Sequence, residues 1–390
     1  MDPEKIIEQL SSISRKLSDT QDKKARNEAL QLSRKLTASL EEPMNVAVDL
    51  CFSPMITLAV RIAIDLNIFK RVADNDAPLS SKELASLSGG EELLIIRIAR
   101  PLASMGFLDE VDVRTWGATP LTRAMATEGI AAGHRLLSDV VGAAANKGPK
   151  YFREAGYASP TDPRDGLLQY ALQTKLTSFQ LLEESPDMLR DFNSWMGNTM
   201  GARNSWIDWF PIQDILLDGF STDTALLVDV GAGKGHDLLA FHDKYPNHGR
   251  LVLQDLPPVI KAIEALDPAI DVMAYNFFTP QPVKGARAYF YHHILHDWSD
   301  QKCLQILKEV SLAMKRGYSK LLLHEMIIPD KGASTFYSRL DLTMMTFNGG
   351  MERTKNQWKD LLQQAGLAVV RIWPPPQEGA DGMVEAMLED

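Results

Sequence analysis

The segment Leu295-His296-Asp297-Trp298-Ser299-Asp300 sets an imidazole beside a carboxylate. An unperturbed imidazole titrates near pKa ~6.5, so His296 can be neutral and basic at working pH, as a group that takes a proton from a substrate hydroxyl must be. A carboxylate on the other ring nitrogen would fix the tautomer. His292, His293 and His296 also spell H-H-x-x-H, but on a strand end and turn instead of a helix face, so no metal is expected. The second chemical signal is Val228-Asp229-Val230-Gly231-Ala232-Gly233-Lys234-Gly235-His236, glycines that let backbone approach a ligand at a helix N-terminus. Their spacing, G-x-G-x-G, is not the G-x-G-x-x-G of dinucleotide binders. Asp255, about twenty residues on, is placed to accept both hydroxyls of a ribose. The pair points to a nucleoside cofactor, adenosine without pyrophosphate.

These groups need a frame. Ala225–Val230, Arg250–Gln254, Ala286–Tyr291 and Ser319–His324 read as buried strands, with helical patterns such as Gln301–Met314 and Lys355–Ala365 between them. Apolar strands alternating with helices predict a parallel sheet covered on both faces, with its ligand at the carboxyl ends of the strands. Upstream, Ile6, Ile7, Leu10, Ile13 and Leu17 mark an amphipathic helical arm that must bury its stripe on the body or on a second subunit. Pro54–Phe69, a helix opened by the Ser80/Glu83 capping box, and Glu91–Met105 predict three helices. A hairpin over Phe107–Val111 and Trp116–Thr119 completes a winged-helix unit. Residues 131–217 read as helical and rich in aromatic and methionine side chains. The expected organisation is an arm (1–44), a winged-helix unit (45–130), a helical pocket region (131–217) and a doubly wound α/β domain (218–390).

Composition narrows the function classes. The 390 residues are 45% hydrophobic, 24% charged and 8% aromatic, as in a soluble globular protein. With 41 basic and 51 acidic residues the net charge is −10, which lacks the basic footprint of a nucleic-acid binder. That balance, with the apolar run Leu93-Leu94-Ile95-Ile96 in the third helix, favours dimerisation over DNA binding for the winged helix. Two cysteines, Cys51 and Cys303, make no disulfide framework, and no run approaches the ~18 apolar residues of a membrane span. A cytoplasmic enzyme of small molecules is expected, with no membrane partner.

In order along the chain, Leu227–Gly235, Gln254-Asp255-Leu256-Pro257, Leu295–Asp300 and Gly349-Gly350-Met351-Glu352-Arg353-Thr354 resemble the motifs of the plant and fungal small-molecule O-methyltransferases that use S-adenosylmethionine. The resemblance covers nearly the whole chain and implies a homodimer. It implies that Gly231 and Gly233 face the methionine part of the cofactor and Asp255 its ribose, with Leu256, Asn276, Phe277 and His292 as further contacts. It makes His296 the general base, with Glu325 and Glu352 the carboxylates that hold it and Asp297 beside it. Met344 and Asn348 match positions that touch the acceptor; Trp195, Met200 and His134 are further pocket candidates. Two positions depart from the pattern. Asn276 stands where Asp usually accepts the adenine amino group, and His292 where Lys or Arg is usual, which implies loss of a fixed positive charge. Some fungal relatives of this fold catalyse dehydration and pericyclic ring closure instead of methylation. With the base and both carboxylates intact, methyl transfer is favoured and cyclisation is the alternative.

Overall fold

The computed structural model describes residues 2–18, 22–197, 205–376 and 379–389, and the chain divides into two compact units, Met1–Ala126 and Thr127–Asp390.

In the first unit, helices Pro3–Ile13 and Lys23–Leu40 bury part of the N-terminal stripe against each other through Ile6, Ile13, Ala29 and Leu32. The next helix begins earlier than its sequence pattern suggests, at Pro43, and continues through Pro54 to Asp65. Proline lacks the N–H that would reach the carbonyl of Leu50, and the Ser53 hydroxyl donates to that oxygen instead, at 2.8 Å. By length and composition this helix could cross a membrane, contrary to the expectation that no such run exists. Helices Ser81–Ser88 and Glu92–Ser104 follow; the capping box of Ser80 and Glu83 is formed. The wing gains a third strand: β1 (Leu79–Ser80) pairs with β3 (Thr115–Gly117), which pairs with β2 (Asp109–Asp112).

In the second unit, short helices from Glu128 to Trp195 precede the sheet. Its strands are β4 (Ala225–Val230), β5 (Arg250–Asp255), β6 (Ile270–Ala274), β7 (Ala288–His292) and β8 (Lys320–Glu325). A two-strand ribbon, β9 (Ile327–Ile328) with β10 (Arg353–Thr354), lies outside it, and β11 (Leu367–Trp373) and β12 (Gly382–Leu388) complete it. The order is β11-β12-β8-β7-β4-β5-β6, and β4 through β8 run parallel. The last two strands are antiparallel, so the sheet is mixed where the sequence pattern predicts a parallel one. The chain reverses direction about β4, and ligands of such sheets bind outside the carboxyl ends at that point. One face buries Val228, Tyr289, Tyr291, Leu321 and Leu323. The other buries Leu227, Phe290, Leu322 and Met383.

Candidate active site

His296 sits on a turn whose backbone is held from both sides. After β7, His293 takes a left-handed conformation (φ 52°) and swings the chain into the tight turn Leu295–Asp297. Glu325, the last residue of β8, accepts from the N–H groups of Ile294 (3.1 Å) and Leu295 (2.8 Å) through Oε1. Fully buried Arg353 donates to the carbonyls of Leu295 and Trp298, both at 2.9 Å, and to Asp300. Cys303 adds an S–H bond to Leu295 O. From below, Met351 N–H donates to the His296 carbonyl at 2.8 Å, and Gly350 lies so close that a Cβ would stand 2.2 Å from that oxygen.

Residue His296 is 7% exposed, with Nδ1 2.8 Å from Glu352 Oε1. Glu352 is fixed in turn by its N–H on Asp341 Oδ1 (2.9 Å). Nε2 is 3.7 Å from Asp297 Oδ1, beyond hydrogen-bond length. Burial opposes the imidazolium, but Glu352, Asp297 and Glu325 outweigh it and push His296 up to about 10. Burial raises Glu325 to about 7 and Asp297 to about 6 against the attraction of His296. Of the two carboxylates expected to hold the base, Glu352 touches the ring, while Glu325 holds the loop that carries it.

Gly231, Gly233 and Gly235 all have positive φ (76°, 57° and 81°), so a side chain would be strained at each. A Cβ on Gly231 would meet Ile294 at 2.4 Å; one on Gly233 would enter open space. Asp255 accepts from Gly233 N–H (2.8 Å) and Leu256 N–H (2.6 Å), drawing the strand end to the glycine turn. Burial raises the Asp255 carboxyl against these bonds. Buried Asp229 keeps Oδ2 without a partner among the described residues, and burial holds its carboxyl well above the usual range. Asn276 is exposed, and its amide oxygen accepts from the Phe278 N–H (3.0 Å) with a second lone pair to spare. Phe277 and Phe278 pack edge-on to Trp298, two residues beyond His296.

His292 does not remove a positive charge. Nδ1 lies 2.7 Å from Asp237 Oδ2 and Nε2 3.9 Å from Asp381 Oδ2. Burial opposes protonation, but the two carboxylates raise the ring to about 10 and keep an imidazolium where Lys or Arg is usual. His293 bonds Asp381 Oδ1 through Nε2 at 2.8 Å and is lowered by burial to about 4.

Among the acceptor-side candidates, Met344 and Asn348 are buried on helix Thr335–Asn348, whose end leads into Gly350. Asn348 Oδ1 accepts from Ser178 Oγ (2.6 Å), leaving Nδ2 buried without a partner among the described residues. Trp195 packs on Gly133, where a Cβ would be 2.7 Å from its ring, beside half-buried His134, whose pKa burial lowers. Arg135 clamps the two helices with a bidentate pair to Asp191 (2.9 and 2.7 Å). Met200 lies outside the described residues. Sequence reasoning missed Arg353, Asp341, Asp229, Asp237 and Asp381; for Arg353 a signal existed, its place in the motif next to Glu352.

An imidazole with a carboxylate on Nδ1 thus stands at the carboxyl edge of this sheet, where the glycine turn and Asp255 also lie. The chain belongs to the O-methyltransferase family: the O-methyltransferase domain matches residues 169–368 and the O-methyltransferase dimerisation domain residues 48–128. It is similar to the O-methyltransferase penC of Penicillium thymicola, 53% identical over 387 residues, which is 99% of this chain and 97% of that one. Among solved structures it resembles LepI in complex with SAM (29% identity, TM-score 0.87, 100% of both chains). It also resembles a pericyclic reaction enzyme (29% identity, TM-score 0.86, 98% of this chain and 100% of that one). The protein is an S-adenosylmethionine-dependent O-methyltransferase of the secondary-metabolism type. Its own residues fit that cofactor: space stands open over Gly233, and Asp255 ends its strand at the turn.

Proposed function

We propose that this enzyme methylates a hydroxyl of a small aromatic or polyketide-derived metabolite, with His296 as the general base. The observation that carries this reading is the 2.8 Å contact from His296 Nδ1 to Glu352, which leaves Nε2 as the working nitrogen. The bound cofactor supplies a methyl group already activated by a positive sulfur, so no acid is needed for departure. His296 would take the hydroxyl proton as the oxygen bonds the methyl carbon and the carbon–sulfur bond breaks, its electron pair staying on a neutral thioether, and Glu352 would stabilise the resulting imidazolium. Gly231, Gly233 and Asp255 hold the cofactor, with Leu256 and Phe277 beside them. Met344 and Asn348 position the acceptor, with Trp195 and His134 as outer pocket groups. The turn's clamps, Glu325 and Arg353, preset the base and so supply orientation. The exposed face of helix Pro43–Asp65, which includes Leu50 and Phe52, is the surface we assign to a second copy of the chain, within the matched dimerisation domain.

A second reading has its own support. An imidazolium raised to about 10 is a proton donor at neutral pH, and donors suit dehydration or ring closure; one structural relative is a pericyclic reaction enzyme. The test uses purified full-length enzyme, methyl-labelled S-adenosylmethionine and an extract from source cells lacking the gene. A labelled product that falls about 10²–10⁴-fold with His296→Ala supports methyl transfer from this base. An unlabelled isomer or dehydrated product, with cofactor unconsumed, supports the second reading.

A further inference from the structure

We infer that His292, His324 and Asp381 form a binding site for one divalent transition-metal ion of the zinc type, separate from the His296 cluster. The inference does not depend on which reaction the enzyme performs.

Strands β7 and β8 are parallel and place His292 opposite His324 at their carboxyl ends. Both rings project on the face that buries Phe290 and Leu322, and their centroids lie 4.2 Å apart. Asp381 reaches the same end because β12 runs antiparallel to β8, pairing Gly382 with Glu325 and Met383 with His324. Gly382 permits that approach: a Cβ there would stand 2.6 Å from Ile327 Cδ1 and 2.7 Å from Trp373 O. Each of the three residues offers one ligand atom, and these atoms all lie within 4.8 Å of one another. His292 Nε2 and Asp381 Oδ2, at 3.9 Å, need close only to about 3.3 Å to share a tetrahedral ion with ~2.0 Å bonds.

The surroundings match what metal ligands require. A ligating histidine usually gives its other ring nitrogen to a carboxylate, and His292 Nδ1 has Asp237 Oδ2 at 2.7 Å, which leaves Nε2 to the ion in exchange for the proton it otherwise carries. A ligating carboxylate is itself hydrogen-bonded, and Asp381 Oδ1 has His293 Nε2 at 2.8 Å. His324 supplies the independent sign: only 3% exposed, it has a buried Nδ1 with no partner among the described residues. Two imidazoles and one carboxylate prefer zinc, iron(II) or cobalt(II) to calcium or magnesium. The neighbouring triad His236, Asp237 and His292 is a poorer candidate, because Asp237 Oδ2 already serves both rings and His236 is 65% exposed.

The test is uptake by full-length, chelator-treated and dialysed protein, using Zn²⁺ in calorimetry and Co²⁺ for its visible absorption. Expected is one ion per chain, at least ~100-fold weaker binding in Asp381→Asn and His324→Phe, and ~10–100-fold weaker binding in Asp237→Asn. His296→Ala should bind as wild type does. No uptake, or equal uptake in Asp381→Asn and His324→Phe, overturns the site. Loss with His296→Ala would move the ion to the base cluster and overturn it too. Asp237→Asn retains both candidate imidazoles and serves as the reading should either ligand variant fail to fold.

Discussion

Replacing Glu352 with Gln should change the pH dependence of the reaction more than its rate at neutrality. Gln keeps the shape and an oxygen to accept from Nδ1–H, but removes the anion in direct contact with His296. The ring stands near 10 with three carboxylates around it, and Glu352 is the strongest of the three. Each unit is a factor of ten, so at pH 7 roughly one wild-type molecule in a thousand holds a neutral His296 before ligands bind. A drop of about 2 units in the variant would raise that fraction ~100-fold. The same change weakens the base and loosens its tautomer, which in comparable His–carboxylate pairs costs up to ~10⁴-fold. The two effects oppose each other at pH 7 and do not at pH 10.5. Initial rates with labelled cofactor, measured as kcat/KM from pH 6 to 11, should show the rising limb move from near 10 to about 8. The loss at high pH should exceed the loss at pH 7 by roughly 100-fold. A limb that stays near 10, or a loss equal at every pH, refutes the pairing as the source of the basicity. Stability supplies a second check. A histidine raised from ~6.5 to about 10 on folding stabilises the native state fully below pH 6.5 and loses that contribution as pH rises through 10. Urea titrations of wild type should therefore show this loss between pH 7 and 10, and Glu352→Gln should flatten it.

Three further outcomes follow from the packing. Gly350→Ala places a Cβ 2.2 Å from the His296 carbonyl; because that atom belongs to the backbone, the turn must move, and kcat should fall about 10²-fold with cofactor affinity little changed in calorimetry. Arg353→Met strands the Leu295 and Trp298 carbonyls in the interior and should cost about 3–5 kcal/mol, seen as a Tm roughly 10 °C lower in calorimetric scans. Phe52→Glu, on the apolar helix where Phe52 is 63% exposed, should halve the mass in light scattering, whereas an unchanged dimer would put the interface elsewhere.

What the sequence made legible was local. The glycine turn, Asp255 and the His296-Asp297 pair could be read because each lies within one strand–turn–helix connection, where residue type and backbone geometry are coupled. Strand β6 escaped because it is an edge strand with Asp271 and Val272 exposed, so it carries no apolar run. Strand β12 escaped because Glu385 interrupts its apolar pattern; that carboxylate is buried but paired with Lys320 (2.5 Å) and Trp373 Nε1 (3.2 Å), partners far away in the chain. Pro54 reads as a helix start, and only the Ser53 hydroxyl on Leu50 O explains why the helix runs through it.

The resemblance singled out Glu325 and gave its neighbour His324 no role, and strand geometry explains why the two part. The two are adjacent in β8, and strand alternation sends them to opposite faces. Glu325 falls on the side of Leu323, where it takes the backbone N–H groups beneath the base. His324 falls on the side of Leu322, where it meets His292 and Asp381. A one-residue slip of β8 against β7 would exchange them, burying an unbonded carboxylate among histidines and leaving the Ile294 and Leu295 N–H groups without their acceptor. The register of one parallel strand pair therefore divides the carboxyl edge into two sites, a base cluster on one face and a histidine–carboxylate cluster on the other. The apolar alternation Leu321-Leu322-Leu323, buried on both sides, does not distinguish the two registers; the polar pair that ends the strand does.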